Sequence, residues 1–202
     1  MLMESNDQPH DQELRLHKWF AGRRLRCEKV ARSSLIKSST FGSSTSPLAN
    51  TSALAYYIKV TYANVFTTGG GTTFSGKTNA DIATYFTTLS NSKTQIDNLR
   101  VQILAVALDV WATTTGEGWS TAAGGSASYG FKQDSFHNGT GTIVINVGNN
   151  GTAFNVPNNS WLTVNQLLSL ANSRWSTIIA SKDYVNMANV VFNGINEKGD
   201  II

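Results

Sequence analysis

The stretch IDNLRVQILAVALDVWATT, residues 96–114, decides the fold class of this chain. Residues 101–112 are apolar on nearly every side of a helix, and a helix that is apolar all round is buried on all sides. At about 1.5 Å per residue, a helix over about residues 95–114 is close to 30 Å long, roughly the diameter of a small domain. We therefore expect it to be the central helix, against which the others pack.

Shorter amphipathic segments on both sides of this stretch predict the surrounding helices. Thr78 with Asp81, and Thr163 with Gln166, have the spacing of capping boxes and mark two helix starts. A further helix begins at about Ser181. The first helix is indicated by apolar residues at three- and four-residue steps after Asn50, namely Leu54, Tyr57, Ile58, Tyr62 and Val65.

One region predicts strands. Tyr129, Phe131 and Gln133 alternate with smaller or polar residues, and TIVINV follows after the dipeptide Asn138–Gly139, which favours a hairpin turn. The sequence thus predicts an α+β fold, predominantly α, in which helices pack around the central helix of about 95–114 with one small β-hairpin at about 129–147.

Charge divides the chain into two parts. Residues 1–37 carry thirteen charged side chains and a net charge of +3, whereas residues 38–202 carry sixteen and are neutral. We expect residues 1–37 to be a charged leader that is disordered or misassigned in the reading frame, residues 38–47 a Ser/Thr-rich linker, and residues 48–202 a single globular module. A neutral module has no electrostatic footprint for a polyanion, so we expect no nucleic-acid partner.

The single cysteine and the short apolar runs do not identify the cellular compartment of the protein. Cys27 is the single cysteine, which excludes an intrachain disulfide. No apolar run approaches the roughly eighteen residues of a membrane span, so none is expected, and the first thirty residues lack the apolar core of a secretory signal.

Candidates for catalysis are few. The module contains one histidine, His137, and no cysteine, so we expect no metal site and no cofactor. Asp109 is the one acid inside the otherwise apolar stretch of the central helix. It is either a helix carboxylate satisfied by a nearby donor or, with Glu117 as a partner, one of the two acids of a glycoside-cleaving site.

A phosphate-binding pattern also occurs. Gly71, Gly76, Lys77 and Thr78 spell the Walker A spacing G-x-x-x-x-G-K-T. A P-loop follows a buried strand of a parallel sheet, but the residues before Gly71 have helical periodicity. Nucleotide binding is therefore kept only as a disfavoured alternative.

Two tryptophans, Trp119 and Trp161, lie in or near predicted loops, where flat rings could stack on sugars. The competing explanation is that both rings pack against the core. With Asp109, they are the residues of a carbohydrate-binding or carbohydrate-active alternative.

Several segments together resemble a module near the C-terminus of large exported bacterial surface proteins, which often carry cadherin-like or serine-aspartate-repeat-B-like domains. They are GKTNADIATYFTTL, LRVQILAVALDVWATT, ASYGF, VGNNGTAFNVPNNSWLTVNQLL and NVVFNGINEKGDI. The resemblance spans about residues 48–202 and implies an extracellular or cell-surface location. It implies no established activity and supplies no catalytic residues.

From these observations we expect a noncatalytic, structural or adhesive module of a bacterial secreted or cell-surface protein rather than an enzyme. Its expected partners are other surface-protein modules or extracellular glycans. The alternative is a carbohydrate-binding or carbohydrate-active domain.

Overall fold

Helices dominate the part of the chain that the computed structural model describes, which comprises residues 53–69, 71, 73–119, 121, 126–129 and 131–197. The predicted leader (1–37) and linker (38–47) lie outside these residues. The helices are α1 (Ala53–Thr61), α2 (Ala63–Thr67), α3 (Asn79–Asn91), α4 (Gln95–Thr113), α5 (Val164–Ser173), α6 (Trp175–Ile179) and α7 (Lys182–Glu197). Strands β1 (Val144–Asn146) and β2 (Trp161–Thr163) form an antiparallel pair, and 3₁₀ turns cover Ser126–Tyr129, Thr140–Thr142 and Gly148–Phe154. The predicted α+β, mainly α class is confirmed.

Helix α4 is the centre of the core, as its sequence predicts. Fourteen of its nineteen residues are buried, including Leu104 and Trp111. It packs most extensively against α7 and also against α3, α1 and α5. Because neighbours cover it on all sides, its apolar residues are removed from water without regard to helical face, which is why it lacks an amphipathic pattern.

The predicted first helix is divided in two. Tyr62 leaves helical geometry between α1 and α2. The Asn172 side chain then accepts hydrogen bonds from the amides of Asn64 and Val65, at 3.0 and 3.2 Å. These amides belong to the first turn of α2 and need a partner outside the helix. A contact from a residue over 100 positions away therefore sets the break, which local periodicity does not reveal.

The C-terminal end of α2 is held by a buried arginine on α4. Arg100 is 2% exposed. Its Nε donates to Val65 O at 3.1 Å, and its Nη2 donates to Gly69 O at 2.8 Å and to Thr68 O. Gly69 has φ +70°, and a Cβ there would lie 2.5 Å from the Ile179 side chain, so the position requires glycine. One guanidinium thus satisfies carbonyls that the end of a short helix leaves without internal partners.

The charge of Arg100 is balanced where it is buried. Asp97 accepts a hydrogen bond from Nη1 at 3.0 Å, and the guanidinium lies 5.3 Å from the centre of the Trp175 ring. Burial alone would raise the pKa of Asp97, but hydrogen bonds from Ser92, Thr94 and Arg100 hold it below its usual value. Asp97 therefore remains charged and partners the arginine at neutral pH.

The sheet is confirmed as small and antiparallel, but the predicted hairpin of about 129–147 is wrong in its pairing. β1 pairs with β2, which lies beyond the 148–154 turn, and not with the described residues of the first predicted strand, Tyr129 and 131–133. The Gln133 side chain donates to Thr113 O at 2.7 Å, which ties this segment to the end of α4. Asp134 accepts from the amides of Phe136 and Asn138, both at 2.8 Å, and closes a local turn in place of a hairpin.

Both predicted capping boxes are present. Thr78 and Asp81 cap α3, and Thr163 and Gln166 cap α5. The second box connects β2 directly to α5, because Thr163 is both the last residue of the strand and the cap of the helix. The orientation of β2 is therefore tied to a helix packed on the core.

Candidate functional site

The two candidate tryptophans lie in different environments. Trp161 begins β2 and is 60% exposed. Trp119 is partly buried and packs against the hydrophobic core, so the packing explanation holds for it. Of this pair, Trp161 is the ring that a ligand in solvent can reach.

Trp161 shares one face of the sheet with residues of β1. The register places Asn146 opposite Trp161 and Val144 opposite Thr163. Side chains alternate along a strand, so these four residues lie on the same face, while Ile145 points inward and is 1% exposed. Val144 is 49% exposed, so this outer face presents an apolar surface beside the indole. We call Val144, Asn146, Trp161 and Thr163 the outer sheet face.

Asn146 and Trp161 are a close pair. Hydrogen bonds from Val147 N to Ser160 O, at 3.0 Å, and from Val164 N to Ile143 O, at 2.9 Å, flank the pairing. In this alternation Asn146 and Trp161 form a non-hydrogen-bonded pair, the arrangement that brings facing side chains nearer to each other. The sequence did not predict this neighbour, because it did not predict that β2 pairs with β1.

The loop that joins β1 to β2 is held by its own polar groups. Asn146 Oδ1 accepts from Gly148 N at 2.7 Å, and Asn158 Oδ1 accepts from Gly151 N at 3.2 Å. The backbone of Asn159 donates to Gly148 O at 2.6 Å. Arg174, which follows α5, donates to Ala153 O at 3.2 Å and anchors the loop to the helices. These hydrogen bonds fix the loop, so the two strands that carry the outer sheet face are joined by an ordered connection.

The stretch of chain that contains both strands of this face carries no acidic or basic side chain other than His137. Residues 135–173 contain no Asp, Glu, Lys or Arg, although they include nine asparagines. Several of these amides are exposed in the loop before Trp161, among them Asn149, Asn158 and Asn159. Each amide side chain offers both a donor and an acceptor without net charge.

The acid candidates lie elsewhere, towards the C-terminal end of α4. Asp109 is 5% exposed and belongs to the buried set of α4. Glu117 lies in the loop after the helix. This loop packs closely against the Trp111 ring, since a Cβ at Gly118 would lie 2.5 Å from it. The structure therefore encloses Asp109 in the core.

Glu117 belongs to a cluster of titratable groups. Burial raises the pKa of its carboxyl, and the Trp111 side chain offsets part of that effect through a hydrogen bond. Tyr57 and Tyr62 place their hydroxyl oxygens 3.0 Å apart. Burial raises the pKa of Tyr57, and the neighbouring Tyr62 and Glu117 raise it further. Burial is the largest cause of the raised pKa of Glu117, Tyr57 and Tyr62, which fits a packing role for all three side chains.

The four residues of the Walker pattern lie between α2 and α3. Among the described residues before Gly71 the chain is helical, and no strand leads into the loop. Thr78 is the N-cap of α3, and its hydroxyl and amide both donate to Asp81 Oδ2, at 2.9 and 2.7 Å. A carboxylate of the chain itself thus occupies the position where a P-loop would hold phosphate, and Gly76 and Lys77 are exposed.

Metal-binding clusters and membrane-spanning helices are both absent from the described residues. They contain no group of three or more His, Cys, Asp or Glu side chains that could hold a metal ion. No helix formed by the same residues has the length and apolar character to cross a bilayer.

The comparisons with known proteins leave the resemblance to exported surface proteins as a hypothesis. No family model matches the chain, and neither a curated protein nor a solved structure matches it.

Proposed function

We propose that this chain is a noncatalytic structural or adhesive module of a bacterial secreted or cell-surface protein. The observation that carries the proposal is the exposed outer sheet face around Trp161, which lies on a neutral, amide-rich surface. The exposed side chains of Trp161 and Val144 lie on the same face of the sheet, and neighbouring apolar side chains exposed together on an ordered element are a candidate surface for a partner. The proposed location rests on the resemblance of residues 48–202 to exported surface modules alone.

The second candidate is a carbohydrate-binding or carbohydrate-active domain. Trp161 favours its binding form, since the ring is accessible. The catalytic form needs an acid pair at a cleft, and Asp109, its first acid, is almost fully enclosed. The structure therefore supports sugar binding better than sugar cleavage.

Adhesion is tested with beads that carry the purified chain at a defined density. The beads are washed over bacterial cell envelopes and over films of exopolysaccharide, and the fraction retained is measured. The proposal predicts saturable retention that the free chain competes away. Retention equal to that of beads carrying an unrelated neutral protein would overturn it.

Catalysis is tested in parallel on a panel of soluble polysaccharides. The proposal predicts no release of new reducing ends during prolonged incubation. Release that disappears in Asp109→Asn or Glu117→Gln, while the variant still unfolds cooperatively and no less stably than the wild type, would establish the carbohydrate-active alternative and refute the noncatalytic proposal.

A further inference from the structure

We infer that the outer sheet face is a binding site for a neutral glycan, with Trp161 as the stacking platform and Asn146 as the polar contact beside it. This inference rests on the proposed adhesive function and adds the class of ligand and the surface that binds it.

The ring supplies the first part of the recognition. The indole of Trp161 is 60% exposed on β2, and the next residue of that strand, Leu162, pairs with the buried Ile145 of β1 on the opposite face and packs against the core. One side of a pyranose ring presents several C–H groups in a plane, and these carry partial positive charge. The negative face of an indole attracts such groups, and the contact removes apolar area from water on both partners.

Asn146 supplies the second part. Its Oδ1 is used by Gly148 N, so the orientation of its amide is fixed. Its Nδ2 group is a further donor, and the residue lies on the same face of the sheet as Trp161. A sugar that stacks on the indole directs its equatorial hydroxyl groups sideways, towards such a donor.

Charge selects the type of glycan. Residues 135–173 contain no Lys or Arg that could neutralise a uronate, sulfate or phosphate, and the arginine that follows them, Arg174, donates its Nε to Ala153 O. An anionic polymer would lose hydration without gaining an ion pair. A neutral polyhydroxylated ligand instead exchanges its hydrogen bonds with water for bonds to amides and hydroxyls.

Rigidity of the site lowers the entropic cost of binding. The loop between the strands is closed by hydrogen bonds from Gly151 N to Asn158 Oδ1 and from Asn159 N to Gly148 O, and Thr163 connects β2 to α5. A ligand therefore meets a face that is already ordered, and little binding energy is spent on fixing the chain.

The experiment is calorimetric and array-based binding of the full chain to neutral polysaccharides (laminarin, mannan, xylan and chitin oligosaccharides) and to acidic ones (alginate, hyaluronan and heparin). We expect saturable binding to at least one neutral glycan and none to the acidic set. Because no ion pair forms, Kd should change less than about twofold between about 50 mM and about 500 mM NaCl.

Variants identify the face. Trp161→Ala should weaken binding at least about tenfold, equivalent to about 1.4 kcal/mol. Phe136→Ala is the matched control, because Phe136 is an aromatic side chain 81% exposed but outside the sheet; this variant should bind as the wild type does. Asn146→Asp keeps the acceptor for Gly148 N but removes the Nδ2 donor, so it should also weaken binding.

A spectroscopic measurement guards against misfolding of the variants. In the wild-type chain, the Trp161 indole N–H resonance should shift as the glycan is added, while that of the buried Trp175 should not. No binding to any neutral glycan, binding restricted to the acidic set, or binding unchanged by Trp161→Ala would overturn the inference. Concentration-dependent self-association lost in Trp161→Ala, without glycan binding, would overturn it in favour of a second copy of the chain.

These results separate the inference from the proposed function. Bead retention on cell envelopes that persists in Trp161→Ala would refute the glycan site and leave the adhesive function standing. If beads that carry the wild-type chain are not retained, the proposed adhesive function itself is refuted.

Discussion

Replacement of Arg100 by methionine tests the packing of α2 against α4. The change keeps the aliphatic volume and removes the guanidinium, so Val65 O and Gly69 O lose this donor and Asp97 loses its ion-pair partner. Thr68 O keeps the hydrogen bond from Trp175 Nε1 at 3.2 Å.

The expected cost follows from these lost partners. Each buried polar group left unpaired costs about 1–3 kcal/mol of stability. Part of this loss is offset, because the variant no longer has to remove a charged guanidinium from water when it folds. We expect Arg100→Met to lower the free energy of unfolding by about 3 kcal/mol. Arg100→Lys should lower it by about 2 kcal/mol, because an ammonium group lacks the fork that reaches several carbonyls.

Urea denaturation followed by tryptophan fluorescence measures this cost. Arg174→Met is the matched control, because Arg174 Nε donates to one carbonyl, Ala153 O, and the residue is less buried; this variant should cost less than about 1 kcal/mol. Equal effects of the Arg100 and Arg174 variants, or an Arg100→Met variant within about 0.5 kcal/mol of the wild type, would refute the reasoning.

Three further predictions concern stability. Leu104→Ala should cost about 2–5 kcal/mol in urea denaturation, against less than about 0.5 kcal/mol for the exposed Val60→Ala; similar losses would contradict a buried α4. Thr163→Ala should cost about 1 kcal/mol and Thr163→Ser much less, since serine restores the cap; equal effects in thermal unfolding would argue against the capping role. Burial raises the pKa of Glu117, so the free energy of unfolding falls as the pH rises through that raised pKa. Glu117→Gln, neutral throughout, should therefore raise Tm relative to the wild type more at about pH 7 than at about pH 3.5; a larger gain in acid would contradict this.

Local chemistry made much of the helical architecture predictable. The all-round apolar stretch identified α4, and the side chains of Thr78 and Thr163 identified helix starts because capping depends on residues only three positions apart. These signals depend on near neighbours, so the sequence displays them directly.

The features that were not predicted depend on distant contacts. The role of Arg100 is not predictable from the sequence, because nothing in its neighbourhood shows that its carbonyl partners lie more than thirty residues earlier. The alternation at residues 129–133 suggested a strand, but a hydrogen bond from Gln133 to Thr113 O holds that segment elsewhere.

The candidate site was predicted in part. Trp161 could be proposed from its position near a loop, but its exposure distinguishes it from Trp119 only in three dimensions. Asn146 became a neighbour through strand pairing across a fourteen-residue connection. The sequence shows that residues 135–173 contain no Asp, Glu, Lys or Arg. Only the structure shows that the outer sheet face lies within this stretch.

Native-state hydrogen exchange along α4 measures whether this helix is covered on every face, on which the packing of the other helices depends. We predict that the amides of residues 99–113 exchange slowest among the described residues, with opening free energies near that of global unfolding. Exchange of these amides as fast as that of the loop at residues 114–119 would contradict the account.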